Sequence, residues 1–178
     1  MSKATRSVAL RRLTVTAMFA AVICVLSPIA IPIGAIPVSL GWLGVLITAL
    51  TLPIRQSVSA VAVFLALGLC GLPVFGGANG GTTVLAGPTG GYLWSYLLAA
   101  PLVGVLCQLV HRNKPLFAHL ACLCGTLVCY ICGTFQYCLV THTPPLPAFL
   151  VCVLPFIPFD ILKMFLAVYL SRRIKPLL

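Results

Sequence analysis

Acid is what this sequence lacks: among its 178 residues the only carboxylate side chain is that of Asp160. With one acid the chain cannot hold the Mg²⁺ that nucleotide chemistry needs, and no Gly-Lys-Ser/Thr follows its glycine-rich stretch, so ATP hydrolysis is excluded. No nucleophile and base stand out by spacing, and no second acid is there to serve them, so the chain is not expected to be an enzyme. Charge of either sign is scarce at 7% of residues, whereas 61% are apolar, and the mean hydropathy is +1.18. No soluble domain of this length hides that much hydrocarbon, which assigns the chain to a lipid bilayer. A coiled-coil heptad and an internal repeat are missing too. The basic start is not followed by an A-x-A-like site and apolar residues resume at once, so the first apolar run is read as a retained span rather than a cleaved signal.

The charge that is present is basic: Lys and Arg number 11, for a formal net charge of +10. These cations do not build the continuous face that a nucleic acid requires, and no nucleic-acid partner is expected; they sit at the ends of apolar segments. Helical spans are expected at about 13–31, 40–52, 57–69, 91–110, 115–137 and 158–170, each apolar enough to enter a bilayer. Pro28, Pro32 and Pro37 stop the first. The second is too short to cross alone, so part of the preceding "IPIGAIPVSL" is expected to dip into the membrane against other protein. Placing the N-terminus inside puts Lys3, Arg6, Arg11, Arg12, Arg55, Arg112, Lys114, Arg172, Arg173 and Lys175 on the cytoplasmic side. The opposite loops, 32–38, 71–90 and 140–147, carry no Lys or Arg, as the positive-inside rule demands. The expected fold class is therefore an all-α membrane protein: one integral membrane domain over 1–178, a six-transmembrane-helix bundle with N and C termini cytoplasmic and Gly/Pro-rich outer loops.

Five of the nine cysteines, Cys122, Cys124, Cys129, Cys132 and Cys138, fall in one apolar run. Cys129 and Cys132 have C-x-x-C spacing, but no acid or His lies within the run to complete a site. Free cysteine otherwise behaves as a small buried hydrophobe, so no metal is expected.

The remaining cation, Lys163, follows the lone acid by three residues in "PFIPFDILKMFLAVYL", and at that spacing the two project from one helix face. A charge within a bilayer costs about 2.5–3.5 kcal/mol on insertion scales, so such residues turn toward a cavity, a partner or a path. With the last helix beginning near Pro158, Asp160 falls in its first turn and both residues in the outer half of the bundle. One reading has Asp160 stabilising the helix terminus and Lys163 neutralising it. The reading adopted is a binding site, because a helix terminus facing an outer Gly-rich loop is how membrane transporters commonly hold substrates. That loop is "VFGGANGGTTVLAGPTGGYLW", where Gly76, Gly77, Gly80, Gly81, Gly87, Gly90 and Gly91 permit close backbone approach. Asn79 adds a side-chain donor and acceptor, and Val74, Phe75, Val84 and Leu85 are expected to anchor the loop as a lid over a ligand pocket.

At these residues the sequence resembles the BioY family, the biotin-specific substrate-binding (S) components of energy-coupling factor transporters. The likeness runs through the basic, Ala-rich first span, "IPIGAIPVSL", "LGLCGLPVFGGANGG", "GPTGGYL" and the Pro-x-Asp-x-x-Lys of "LPFIPFDILKMFLA". It implies a bundle that binds biotin near its outer face in a bacterial inner membrane, with no cofactor of its own. It implies as partners a transmembrane coupling (T) component and two cytoplasmic ATPase subunits. Carried onto this chain, the polar contacts to biotin fall to Asp160, Lys163 and Asn79, with Gly90 and Tyr92 of "GPTGGYL" beside them. Many members have Gln-Thr where Gly41-Trp42 stand here, and Trp42 is read as lining the pocket instead. Ala17 and Ala21, four residues apart on the first span, match the small-residue face that S components present to the coupling protein. The competing reading is a self-sufficient secondary carrier for a small organic acid or vitamin, with Asp160 as proton relay. It is disfavoured because proton paths string several carboxylates or histidines together, and His111, His119 and His142 lie in or near loops or at a helix start.

Overall fold

The computed structural model describes residues 3–33, 36–109 and 115–177. The helices are α1 (Lys3–Leu26), α2 (Gly41–Thr51), α3 (Ile54–Leu69), α4 (Thr82–Ala86), α5 (Gly90–Leu109), α6 (Pro115–Thr141), α7 (Pro145–Cys152) and α8 (Ile157–Ile174), with strands β1 (Ala30–Ile33) and β2 (Ile36–Ser39) between α1 and α2. Arg112 and Lys114, read above as a cytoplasmic turn, and His111 lie outside the described residues.

Each apolar segment of the sequence overlaps a helix, with different ends. α1 begins ten residues earlier than the apolar run, at Lys3 rather than Leu13, because hydropathy marks where lipid begins and Lys and Arg are themselves good helix formers. It stops at Leu26, just before Ser27-Pro28, since the residue preceding a proline is pushed out of the helical region. By length and composition α1, α5 and α6 are long and apolar enough to cross a membrane, and α7 with α8 forms a further candidate bent by 50°. α2 and α3 are shorter, at 11 and 16 residues.

The shortness of α2 is matched by its position. All of its residues from Gly41 to Thr51 are buried, in contact with α1, α3, α5 and α8, so it is the central post of the bundle and presents no face outward. The segment before it does not simply dip inward as an extended chain. It forms an antiparallel hairpin in which Ile31 faces Val38 and Pro32 faces Pro37. Ile36 and Val38 are buried in a small cluster with Cys152, Val153 and Phe156, which pins the hairpin to the turn between α7 and α8. A two-stranded ribbon tolerates two prolines because its outer edge needs no donor.

α5 and α6 form the most extensive helix–helix contact, and glycine makes the approach possible. A Cβ at Gly91 would run into the Cys132 carbonyl, and one at Gly133 into the ring of Tyr92. The Gly-rich loop is held just as firmly. Phe75 is completely buried, its ring edge-on to Phe64 at 5.5 Å, in space that exists only because Gly68 has no side chain. Gly81 donates its amide to the Gly68 carbonyl at 2.7 Å and Gly77 to that of Pro28 at 3.2 Å. Leu85 of α4 is buried as well, and Val74 and Val84 pack on the core at its edge.

Candidate functional site

A cavity of about 250 Å³ lies between the hairpin, the Gly-rich loop, α2, α5, α6 and the start of α8. Asp160 and Lys163 reach it together. α8 begins at Ile157 with Pro158 in its first turn, where the missing proline N–H leaves no bond unmade. This places Asp160 in that turn and Lys163 one turn on. Their side chains are each 7% exposed, and the ammonium donates to Asp160 Oδ1 at 2.9 Å. The other carboxylate oxygen, Oδ2, accepts from the Tyr130 hydroxyl of α6 at 2.7 Å. The carboxylate is thus turned toward side chains rather than folded back on its own helix terminus.

Aromatic rings form the walls. Trp42 stacks on Tyr96 at 5.4 Å between centroids, and Tyr92 stacks on Phe156 at 6.1 Å. Their polar ends are tied back into the protein: Trp42 Nε1 donates to Thr126 Oγ1 at 3.2 Å, and the Tyr92 hydroxyl donates to the Cys152 carbonyl at 2.7 Å. At the hairpin, Ser39 Oγ donates to the Ser27 carbonyl at 2.7 Å and accepts the Gly41 amide at 2.9 Å. Asn79 is exposed on the loop, its Nδ2 donating to the Gly76 carbonyl at 3.0 Å, which leaves its side-chain carbonyl available to a ligand. A site built this way offers flat apolar surfaces for stacking and one ion pair as the polar anchor, which suits a small molecule with an apolar body and a compact hydrogen-bonding head.

Of the residues singled out in the sequence, Asp160, Lys163, Asn79, Tyr92 and Trp42 line this cavity. Gly90 does not. It is buried behind the lining, where a Cβ would meet the Leu85 carbonyl and the Gln136 amide, so its part is to let α5 start beneath the loop. Gln136 completes that junction by donating Nε2 to the carbonyls of Leu85 and Gly87 at 2.9 and 2.8 Å. Sequence reasoning passed over Tyr96, Thr126, Tyr130 and Phe156, which also line the cavity. The signal available for Thr126 and Tyr130 was their period: Thr126 falls on the buried stripe of α6 with Cys122 and Cys129, and the half-buried Tyr130 follows it by four residues. Ala17 and Ala21 do not line the cavity; both are exposed on α1.

Comparison with known proteins bears on the family and the fold. The family model described as the BioY family matches residues 1–178. The chain is 38% identical over 152 residues to the biotin transporter BioY2 of Lactococcus lactis subsp. cremoris, covering 85% of this chain and 82% of that one. It is 36% identical over 170 residues to the biotin transporter BioY of Thermotoga maritima, covering 94% and 98%. Among solved structures, a crystal structure of the S-component for biotin from an ECF-type ABC transporter superposes with a TM-score of 0.89 at 28% identity, over 99% of this chain and 95% of that one.

The ion pair makes a stability prediction of its own. Removing one partner of a buried pair leaves the other charge uncompensated and costs about 3–5 kcal/mol, whereas removing both for apolar residues of similar size is often neutral. Thermal unfolding in detergent is therefore expected to show a large loss for Asp160→Leu and a near-normal midpoint for Asp160→Leu combined with Lys163→Met. Losses that simply add would mean that the two side chains are not coupled.

Proposed function

The chain belongs to the BioY family, and on that premise we propose that it is the high-affinity biotin-binding subunit of a vitamin uptake transporter. Members of this family are substrate-binding transporter components, so the chain is a multi-pass membrane protein and not an enzyme. The observation that carries the proposal is the buried Asp160–Lys163 pair set among stacked aromatic rings in a cavity roofed by the Gly-rich loop. Biotin has complementary chemistry: a ureido ring with two N–H donors and a carbonyl acceptor, an apolar thiophane ring and a valerate carboxylate. Asp160 accepts a ureido hydrogen bond, Lys163 and Asn79 make the further polar contacts, and Trp42 and Tyr92 pack on the rings.

The finer architecture follows the same reading. Six helices, α1, α2, α3, α5, α6 and α8, cross a bacterial inner membrane as one domain, with both termini cytoplasmic and the Gly-rich loop outside. Biotin is captured at the outer face and imported by a complex with a transmembrane coupling component and two cytoplasmic ATPase subunits. These supply the nucleotide chemistry that a chain with one acid lacks. Ala17 and Ala21 are exposed on α1, which supports their use as a close-packing face for another membrane helix rather than as internal packing.

Three measurements test this reading. For topology, an enzyme reporter that works only outside the cytoplasm is expected to stay silent when fused at the C-terminus; activity there would invert the proposed orientation. For the partner face, Ala17→Trp is expected to abolish uptake and assembly with the coupling component while biotin binding by the purified chain stays nearly intact. Lost binding with normal assembly would return Ala17 to internal packing. For the site, Asp160→Asn is expected to weaken biotin by about one to two orders of magnitude, the cost of leaving a buried charged partner unpaired. Asn79→Ala is expected to be milder because water substitutes in part. The deciding titration uses the double variant Asp160→Leu, Lys163→Met: a folded protein with near-normal biotin affinity would refute the site.

A further inference from the structure

The carboxylate of Asp160 is shared between two helices. Lys163 holds Oδ1 from α8 itself, while Oδ2 is held by Tyr130, 30 residues earlier on α6. Only the second bond ties Asp160 to the opposite wall, and it crosses a junction where α6 and α8 part to leave an apolar groove. That groove is lined by Leu127, Ile131, Ile157, Ile161 and Met164, and Thr126, Tyr130 and Asp160 belong both to it and to the cavity. These three side chains form the partition between the cavity and the groove, and the Tyr130–Asp160 bond closes it across the two helices.

A carboxylate in that position has two ways to fail. Its χ2 torsion is broad and roughly two-fold, so with Lys163 alone it rotates about a single bond and presents either oxygen, or neither, to the cavity. Water does not take the place of a missing donor on the groove side, because the groove surface is almost wholly apolar and the surroundings are lipid. The Tyr130 hydroxyl removes this freedom. With one protein donor on each oxygen, each oxygen keeps one lone pair, and the plane of the carboxylate is fixed relative to Trp42 and Tyr96 before any ligand arrives.

We propose that Tyr130 is a positioning residue of the binding site, fixing the Asp160 carboxylate in the orientation that accepts the ligand's N–H groups. It acts through Asp160 and contributes preorganisation rather than a ligand contact. This rests on the reading that Asp160 receives the ureido ring of biotin, and it extends that reading to a residue outside the Asp-x-x-Lys turn.

The test is a double-mutant cycle on the purified chain, with biotin titrated to millimolar concentration and the melting temperature of each ligand-free variant recorded alongside. Tyr130→Phe keeps the ring and therefore the partition, and removes only the hydroxyl. It is expected to weaken biotin about tenfold in the native background, to leave the ligand-free melting temperature within a few degrees, and to have less than a twofold effect in an Asp160→Asn background. An unchanged affinity in the native background would overturn the proposal. So would an equal loss in both backgrounds, which would make Tyr130 a direct contact. A loss accompanied by a matching fall in melting temperature would overturn it too, by making the role structural. If Asp160→Asn holds no biotin at millimolar concentration, an unchanged affinity or a matching fall in melting temperature for Tyr130→Phe in the native background still overturns the proposal. The unmodified chain is titrated first: failure of that protein to bind biotin refutes the functional reading, whereas a binding protein indifferent to Tyr130→Phe refutes only the positioning role.

Discussion

Backbone polar groups buried in this molecule have no bulk water to turn to, and its architecture follows from that constraint. Helices satisfy it within themselves, which is why α2 needs only length enough to fill the centre and not to cross unaided. The irregular segments satisfy it by bonding to helix ends. The Gly81 and Gly77 amides reach the carbonyls of Gly68 and Pro28, and Gln136 caps both Leu85 and Gly87. Composition alone would make so many glycines a mobile loop. Here they bring backbone close enough to neighbouring backbone for these bonds to form, and the buried Phe75 and Leu85 supply the apolar weight that keeps the segment in place.

The same constraint shapes the cavity. A polar group in its wall is bonded to protein or it is costly, so Trp42, Tyr92 and Ser39 have their polar atoms tied down. Under the proposed function, what remains to face a ligand is the Asp160–Lys163 pair, with the Asn79 side-chain carbonyl at the loop. Such a site gains specificity from scarcity: a small molecule lacking a hydrogen-bonding head would leave a buried carboxylate and ammonium to each other, and one with an extra polar group along its body would meet aromatic faces with nothing to offer it.

How much of this the sequence showed depended on whether a feature was local. The Asp-x-x-Lys turn was legible because spacing on a helix fixes direction and because a lone acid in an apolar helix has few structural uses. The loop's anchors were legible as apolar residues interrupting a glycine run. The hairpin was not, since four-residue strands containing proline look like any Pro-rich connection and are held by a tertiary cluster with Cys152, Val153 and Phe156. α7 escaped because it is only 8 residues long and sits in a Pro-rich stretch. Tyr130 and Thr126 were hidden inside a cysteine-rich apolar run, where a tyrosine reads as one more large side chain until its partner on α8 is known. Gly90, read as a ligand contact, sits behind the lining, because a glycine tight against backbone and a glycine tight against ligand look alike in a sequence.

α6 shows how one helix serves these demands at once. Its buried positions are small or polar: Ala121, Cys122, Gly125, Thr126, Cys129 and Gly133. Its exposed positions are large and apolar: Leu120, Leu123, Leu127, Ile131, Phe135 and Leu139. A helix of a soluble protein has the reverse arrangement. In a bilayer, hydrocarbon outside is as good a solvent for leucine as hydrocarbon inside, so bulk is sent outward and close packing inward is left to small residues. That inversion lets α5 approach α6 at Gly91 and Gly133, and the closeness in turn brings Tyr92, Tyr96 and Cys129 to the cavity edge. Tyr130, half-buried at the edge of that stripe, is large where its neighbours are small. It packs against the cluster at the α7–α8 turn and meets a carboxylate, so the size that would obstruct packing elsewhere spans the distance to α8.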